Sequence, residues 1–107
     1  MRDPSSITVH ELIEIGYNEV ASDVFIKANQ VPMMKQHSAV SPLPGDWPII
    51  DENNARRLIG SLMNERQLRR FEEHHEMDLA FQIEGKCRVR SNLFKQRGTW
   101  ACVMRII

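Results

Sequence analysis

The chain has 107 residues, with 14 basic and 14 acidic side chains and a formal net charge of zero. That length fits one domain, residues 1–107, with a real core but no room for a second. Hydrophobic content of 42% and charged content of 26% exclude disorder as the default, and neutrality argues against a general nucleic-acid coat while leaving room for a local anion site.

The opening residues Met1-Arg2-Asp3-Pro4-Ser5-Ser6 lead straight into an amphipathic segment without a signal-peptide core. No later apolar run nears the roughly 20 residues of a bilayer span, so a cytoplasmic chain is expected. Thr8 followed by Glu11 is a capping box, and Val9, Leu12, Ile13, Gly16 and Val20 then recur at helical spacing. This predicts a first helix from Val9 to Ala21, ended by Ser22-Asp23. Val24-Phe25-Ile26-Lys27 reads as a short strand and Asn29-Gln30 as a turn. Met33 to His37 and Ala39-Val40 form a second short hairpin. Ser41 to Pro48 is expected to be a loop, because Pro42, Pro44 and Pro48 exclude helix and central strand alike.

Asp51 caps a second helix whose buried side carries Ala55, Leu58, Ile59, Leu62 and Met63. Asn64, with Gln67 three residues on, caps a third helix with Leu68 and Phe71 inward. From Met77 the period changes to two: Met77, Leu79, Phe81 and Ile83 alternate with Asp78, Ala80 and Gln82. The connection at Glu84-Gly85 follows from register. A two-residue turn would put Phe81 on the face of Arg88. An odd-length, three-residue connection pairs Phe81 with Val89, Leu79 with Ser91 and Met77 with Leu93, which keeps one apolar face continuous. Gly85 supplies the positive φ. The result is an α+β domain: an antiparallel sheet, apolar toward three helices packed on one face.

The final 22 residues, Lys86 to Ile107, carry Lys86, Arg88, Arg90, Lys95, Arg97 and Arg105 and no acid. A two-residue turn at Arg97-Gly98 pairs Gln96 with Thr99, and counting back sets Arg90 opposite Arg105. Like charges facing each other across a ladder are destabilising, so an external counter-anion is expected. Four of the six bases are arginine, the residue suited to bidentate phosphate contact. Asn92 and Phe94 share that face, and an exposed Phe94 points to a covering partner. A solvated outer sheet face is the bland alternative. Nucleic acid is a weaker reading, because no aromatic beyond Phe94 interleaves the arginines. In the same register Cys102 lies opposite Leu93, which leaves Cys87 about 20 Å away along its strand and both cysteines free.

Catalytic machinery is not legible. The chain has no Gly-x-x-x-x-Gly-Lys-Ser/Thr loop, no Gly-x-Gly-x-x-Gly, no Cys-x-x-Cys pair and no nucleophile with an obvious base. Glu72-Glu73-His74-His75-Glu76 could suggest a metal site, but a solvated helix end explains it without convergent ligands. His10, on the first turn of a helix, reads as a surface residue rather than a ligand, and His37, in a short edge strand, has no partner suggested by spacing. Trp47 belongs to the Pro-rich loop, either docking elsewhere or packing back on its own domain, and Trp100 falls on the apolar face with Cys102 and Met104.

These residues also carry a family resemblance. Ser22-Asp23-Val24-Phe25-Ile26 after an amphipathic helix, then Val31-Pro32-Met33-Met34-Lys35, resembles the start of the twitching-motility ATPases of type IV pili (the PilT- and PilU-like proteins). Leu62-Met63-Asn64-Glu65-Arg66-Gln67 running to Phe71-Glu72-Glu73 is similar to a second marker. Glu76-Met77-Asp78-Leu79-Ala80-Phe81, Arg88-Val89-Arg90-Ser91-Asn92-Leu93-Phe94-Lys95-Gln96-Arg97-Gly98 and Met104-Arg105-Ile106 resemble a third. The resemblance is collinear from about Glu11 to Ile107. Asn29 and Ser38 stand where turn glycines are usual, and Val31 where a proline is common.

The resemblance implies the N-terminal, PAS-like domain of a hexameric secretion-type motor ATPase that drives pilus retraction. The phosphate-binding loop, metal-site acids and catalytic glutamate would lie in a C-terminal ATPase domain absent from this chain, so ATP and Mg belong to the full-length protein. By resemblance, Arg90 and Arg105, with Arg88 and Arg97, are the positions that reach the ATP phosphates. Implied partners are the chain's own ATPase domain, neighbouring subunits of a homohexamer and the inner-membrane pilus platform protein. The implied location is cytoplasmic, peripheral at the inner membrane. The alternatives are a free-standing PAS-like sensor or adaptor, with a ligand pocket lined by Leu79, Phe81, Val89 and Met104, and a nucleic-acid module using Arg88 and Arg90.

Overall fold

A computed structural model describes residues 2–107. After a short 3-10 turn at Pro4–Ser6 come α1 (Val9–Asn18), β1 (Asp23–Lys27), β2 (Met33–Gln36) and β3 (Ala39–Pro42). Then follow α2 (Glu52–Gly60), α3 (Glu65–His74), β4 (Glu76–Ile83), β5 (Cys87–Gln96) and β6 (Thr99–Ile106). The six strands form one antiparallel sheet in the order β3-β2-β1-β6-β5-β4. This is the α+β architecture expected from the change of period along the chain. Among the described residues no helix is long and apolar enough to cross a membrane.

The helix starts are fixed by local chemistry. Thr8 accepts from the Glu11 amide while the Glu11 carboxylate accepts from the Thr8 amide, and Asn64 and Gln67 exchange the same pair of bonds. Asp51 caps α2 by accepting from the Asn54 amide. The helices cover the sheet face that carries Val24, Ile26, Val89, Leu93, Trp100, Cys102 and Met104, all buried in one cluster with Leu12, Ile13, Leu58, Ile59 and Phe71. Phe71 of α3 meets Trp100 of β6 edge to face at 4.9 Å. Gly16 lets α1 lie close on β1 and β6: a Cβ there would fall 2.5 Å from the Val24 methyl and 3.3 Å from the Ile106 methyl.

The registers derived from the sequence are present. Phe81 pairs with Val89, Leu79 with Ser91 and Met77 with Leu93, with Glu84, Gly85 and Lys86 as the three-residue loop. Gly85 has φ +74. Arg90 pairs with Arg105 and Gln96 with Thr99 across a turn in which Arg97 and Gly98 both have positive φ, the primed geometry that matches strand twist. Cys87 and Cys102 are free and buried.

Three boundaries differ from the expectation, each for a physical reason. The first helix stops at Asn18, not Ala21. The Val20 amide bonds to the Tyr17 carbonyl and the Ala21 amide to the Gly16 carbonyl, with Val20 at φ +57, a Schellman termination. The apolar spacing that carried the helix prediction onto Val20 does not bury it: Val20 is 78% exposed. The Pro-rich segment starts as strand, since Ser41 and Pro42 continue β3. Because β3 is the sheet edge, Pro42 removes no ladder donor there. Leu62 and Met63 follow the α2 cap at Ser61 and are half-buried against the core.

Candidate functional site

The helix-free face of the sheet is built by the same alternation that buries the other. Pairing across β2, β1, β6, β5 and β4 sets Lys35, Asp23, Arg105, Arg90 and Ala80 in one transverse row. The next row runs Phe25, Val103, Asn92 and Asp78. Between the rows lies an open concavity of about 470 Å³, lined by Arg90, Arg105, Asn92, Asp23, Asp78 and Val103 among others.

Arg105 Nε donates to Asp23 Oδ1 at 3.4 Å. Asp23 is 5% exposed, whereas the Arg105 side chain is 70% exposed. The carboxylate is therefore anchored, with a second bond from Ser22 Oγ at 3.2 Å, and the guanidinium is presented to solvent. Asn92 Nδ2 donates to Asp78 Oδ1 at 2.8 Å, which aims that amide along the floor of the concavity. Arg88 and Arg90 are exposed, and neither makes an ion pair among the described residues.

The arginines separate by position. Arg90 and Arg105 are directly opposite, with side chains on one face roughly 5 Å apart at Cβ. Arg88 lies two residues from Arg90 on the same face, about 7 Å along the strand. Its backbone closes the sheet end by exchanging both bonds with Ile107. Arg97 sits in the β5–β6 turn, seven residues from Arg90 and about 23 Å away by strand rise. Arg90 and Arg105 thus line one concavity, Arg88 shares their sheet face outside that lining, and Arg97 stands apart.

The counter-charge differs from the sequence expectation. Lys86–Ile107 holds no acid, yet Asp23 faces Arg105 from β1 and Asp78 borders the concavity from β4. One positive charge of the pair is balanced internally, and Arg90 is the one left over. Asp23 was missed because the β1–β6 pairing joins segments some 80 residues apart, which no turn rule predicts. The one available signal was the alternation of Asp23, Phe25 and Lys27 on a single side of β1.

The other singled-out residues are placed as follows. His75 adopts the left-handed cap of α3, and Glu76 opens β4, so the run Glu72 to Glu76 splits across two elements. Among the described residues no three His, Cys, Asp or Glu side chains converge on one point. His10 lies 3.3 Å from Glu14, whose carboxyl is held below its ordinary range chiefly by the bond from Lys86 and then by His10. Trp47 packs back on its own domain, donating to the Pro44 carbonyl at 2.8 Å, with Arg2 over its ring. Phe94 is half-buried beside Ala101. Burial pushes the Cys102 thiol up to about 12 and raises Cys87 as well.

No protein-family model matches the chain. It is 30% identical over 99 residues, 92% of its length, to the type IV pilus retraction ATPase PilT of Pseudomonas aeruginosa, of which it covers 28%. It is 34% identical over 97 residues, 91% of its length, to the type IV pilus ATPase PilU of the same organism, of which it covers 25%. The crystal structure of the pilus retraction motor PilT with bound ADP matches with a TM-score of 0.86 at 27% identity, over 94% of this chain and 29% of that one. The ATPase DotB of Legionella pneumophila shares the fold, with a TM-score of 0.79 at 15% identity over 100% of this chain and 31% of that one. The chain thus spans about a quarter of the length of the curated relatives it matches.

Proposed function

We propose, from the premise that this chain is an N-terminal domain of the PilT-like ATPase family, that it serves as the PAS-like, phosphate-sensing module of a hexameric motor for type IV pilus retraction. The observation that carries the reading is the Arg90–Arg105 pair, opposite each other on the uncovered face and only half balanced by Asp23. Two guanidiniums at that spacing match a chain of phosphate oxygens better than a single carboxylate does.

The nucleotide itself would be held by a second, ATPase domain, where ATP and Mg would bind. The residues present fit a contributory role: exposed guanidiniums at the rim of an open concavity, with no enclosed phosphate cradle. Arg90 and Arg105 would neutralise charge on the outermost phosphate, with Arg88 extending the field along the strand. Such charge stabilisation, made from an adjoining domain, links nucleotide state to domain orientation. Arg97, at the far turn, lies beyond the reach of the same phosphate chain and is better placed for a subunit contact. Partners on this reading are the ATPase domain, neighbouring subunits of the ring and the pilus platform protein, at the cytoplasmic side of the inner membrane.

The test has two arms. Residues 1–107 alone should show no ATP turnover, and measurable hydrolysis would refute the non-catalytic role. In the protein that joins this domain to an ATPase domain, Arg90→Ala and Arg105→Ala should each lower turnover while circular dichroism and melting of the domain stay near wild type. Full turnover in both variants would refute the phosphate role.

A further inference from the structure

We propose that the free edge of β4 pairs antiparallel with the same edge of a second copy of this chain. The two sheet edges are treated differently by the sequence. β3 is four residues long and ends in Pro42, whereas β4 runs eight residues, Glu76 to Ile83, without Pro, Gly, Lys or Arg. Natural sheets blunt their edges with such devices, so only one edge here is closed to pairing. Met77, Leu79 and Phe81 on its helix-side face are only half-buried, as expected for side chains that lack a neighbour strand on one flank.

The free backbone groups can be assigned. Arg88 exchanges both backbone bonds with Ile107 on the β6 side. Alternate residues of β5 therefore bond to β4, and the groups left pointing outward belong to Glu76, Asp78, Ala80 and Gln82 through the β4–β5 register. Two-fold registers centred on a residue of β4 keep the helix faces together, and charge selects among them: centring on Met77 sets Glu76 against Asp78, and centring on Phe81 sets Asp78 against Glu84. Centring on Asp78 sets that acid against itself, and centring on Ala80 sets Glu76 against Glu84. Centring on Leu79 pairs Leu79 with Leu79, Met77 with Phe81, Asp78 with Ala80 and Glu76 with Gln82, with no like charges opposed.

That register is also complementary beyond the strand. It brings Glu84 of the second copy toward the last turn of α3, where the stripe Arg66, Arg70 and His74 lines a groove beside β4. Those arginines make no ion pair within the described residues. It also continues the transverse row, placing Asp78 of the second copy beyond the small Ala80, two strand spacings or roughly 10 Å from Arg90. The occupant is thus a second copy rather than an unrelated extended segment, because its Glu84 answers the α3 arginines in the Leu79-centred register, which opposes no like charges.

Sedimentation velocity of residues 1–107 over a concentration series tests the pairing, with exposed Ala80 as the probe. The wild type should shift from monomer to dimer, weakly, as befits a small contact. Ala80→Lys, opposite Asp78 twice per dimer, should tighten the dimer roughly two- to thirtyfold and Ala80→Asp should weaken it by a similar factor. Leu79→Cys should form an intermolecular disulfide on oxidation while the buried Cys87 and Cys102 give none. A monomer at every concentration, equal effects of Lys and Asp, or a dimer that Leu79→Cys fails to crosslink would each overturn the proposal. Since none of these readouts involves phosphate, the arginine site and the edge contact stand or fall separately.

Discussion

Replacing Asp23 with Asn should make the domain bind polyphosphate more tightly while making it less stable. Asp23 Oδ1 lies 3.4 Å from Arg105 Nε, and the carboxylate is 5% exposed. An anion seated between Arg90 and Arg105 would lie about 6 Å from that carboxylate. Coulomb repulsion of one unit charge at ~6 Å in a water-like dielectric is about 0.7 kcal/mol, roughly threefold in affinity. Asn keeps the size of the side chain and the Ser22 bond but removes that repulsion, so the dissociation constant for tripolyphosphate should fall about threefold. The gain should shrink as salt rises toward ~1 M, where the screening length is about 3 Å. Stability moves the other way. The Arg105 partner is 70% exposed, so the pair contributes at most about 1 kcal/mol, and the Arg90–Arg105 repulsion is then unrelieved. A melting temperature lower by about 4 °C follows. Calorimetric titration and thermal melts of the same samples measure both. An Asp23→Asn domain that binds tripolyphosphate no better than wild type would refute the reasoning that Asp23 competes with the anion for Arg105.

Three further outcomes rest on particular residues. Val20→Gly should stabilise the domain by about 0.5–1 kcal/mol in denaturant titrations, because Val20 holds φ +57 while 78% exposed and relief of left-handed strain exceeds the added chain entropy; a less stable variant would show that Val20 contributes packing. The Glu11 carboxyl is held below its ordinary range first by the bond from Arg2 and further by the Thr8 amide, so its contribution is complete above the unfolded value near ~4.3 and is lost as pH falls through the lower folded value. Glu11→Gln should therefore be less stable at neutral pH by about 0.3–1 kcal/mol, with the gap to wild type closing in acid; a gap that stays constant down to acid pH counts against the assignment. With burial pushing Cys102 up to about 12, Ellman's reagent at mildly alkaline pH should reach that thiol only after denaturant is added, and rapid labelling of the native chain would contradict its burial.

What could be read from the sequence was whatever a local rule determines. Thr8–Glu11 and Asn64–Gln67 announce helix starts because both bonds of a capping box are made within four residues. The β4–β5 and β5–β6 registers follow from turn length and the need to keep Val89, Leu93 and Cys102 on one side, so the opposition of Arg90 and Arg105 is legible in the sequence. The β1–β6 pairing was not, since residues some 80 positions apart meet only through the packing of α1 on the sheet. Asp23 was lost with it, and the arginine face looked more unbalanced than it is. Val20 and Ala21 misled in the opposite sense: their apolar spacing continues α1, but the terminating bonds from Val20 and Ala21 to Tyr17 and Gly16 depend on a left-handed residue that the usual glycine signal does not mark. Pro42 was read as loop because its place at an edge is a property of the whole sheet.

The phosphate role of the arginine face is tested most directly by heteronuclear NMR of residues 1–107 titrated with tripolyphosphate. Amide shifts should cluster at Arg88, Arg90, Ser91, Asn92 and Arg105 and weaken steeply with added salt. They should be lost in Arg90→Ala and Arg105→Ala, while Arg66→Ala and Arg70→Ala leave them in place. Shifts centred on α3, or none at these β5 and β6 positions at saturating anion, would contradict the assignment.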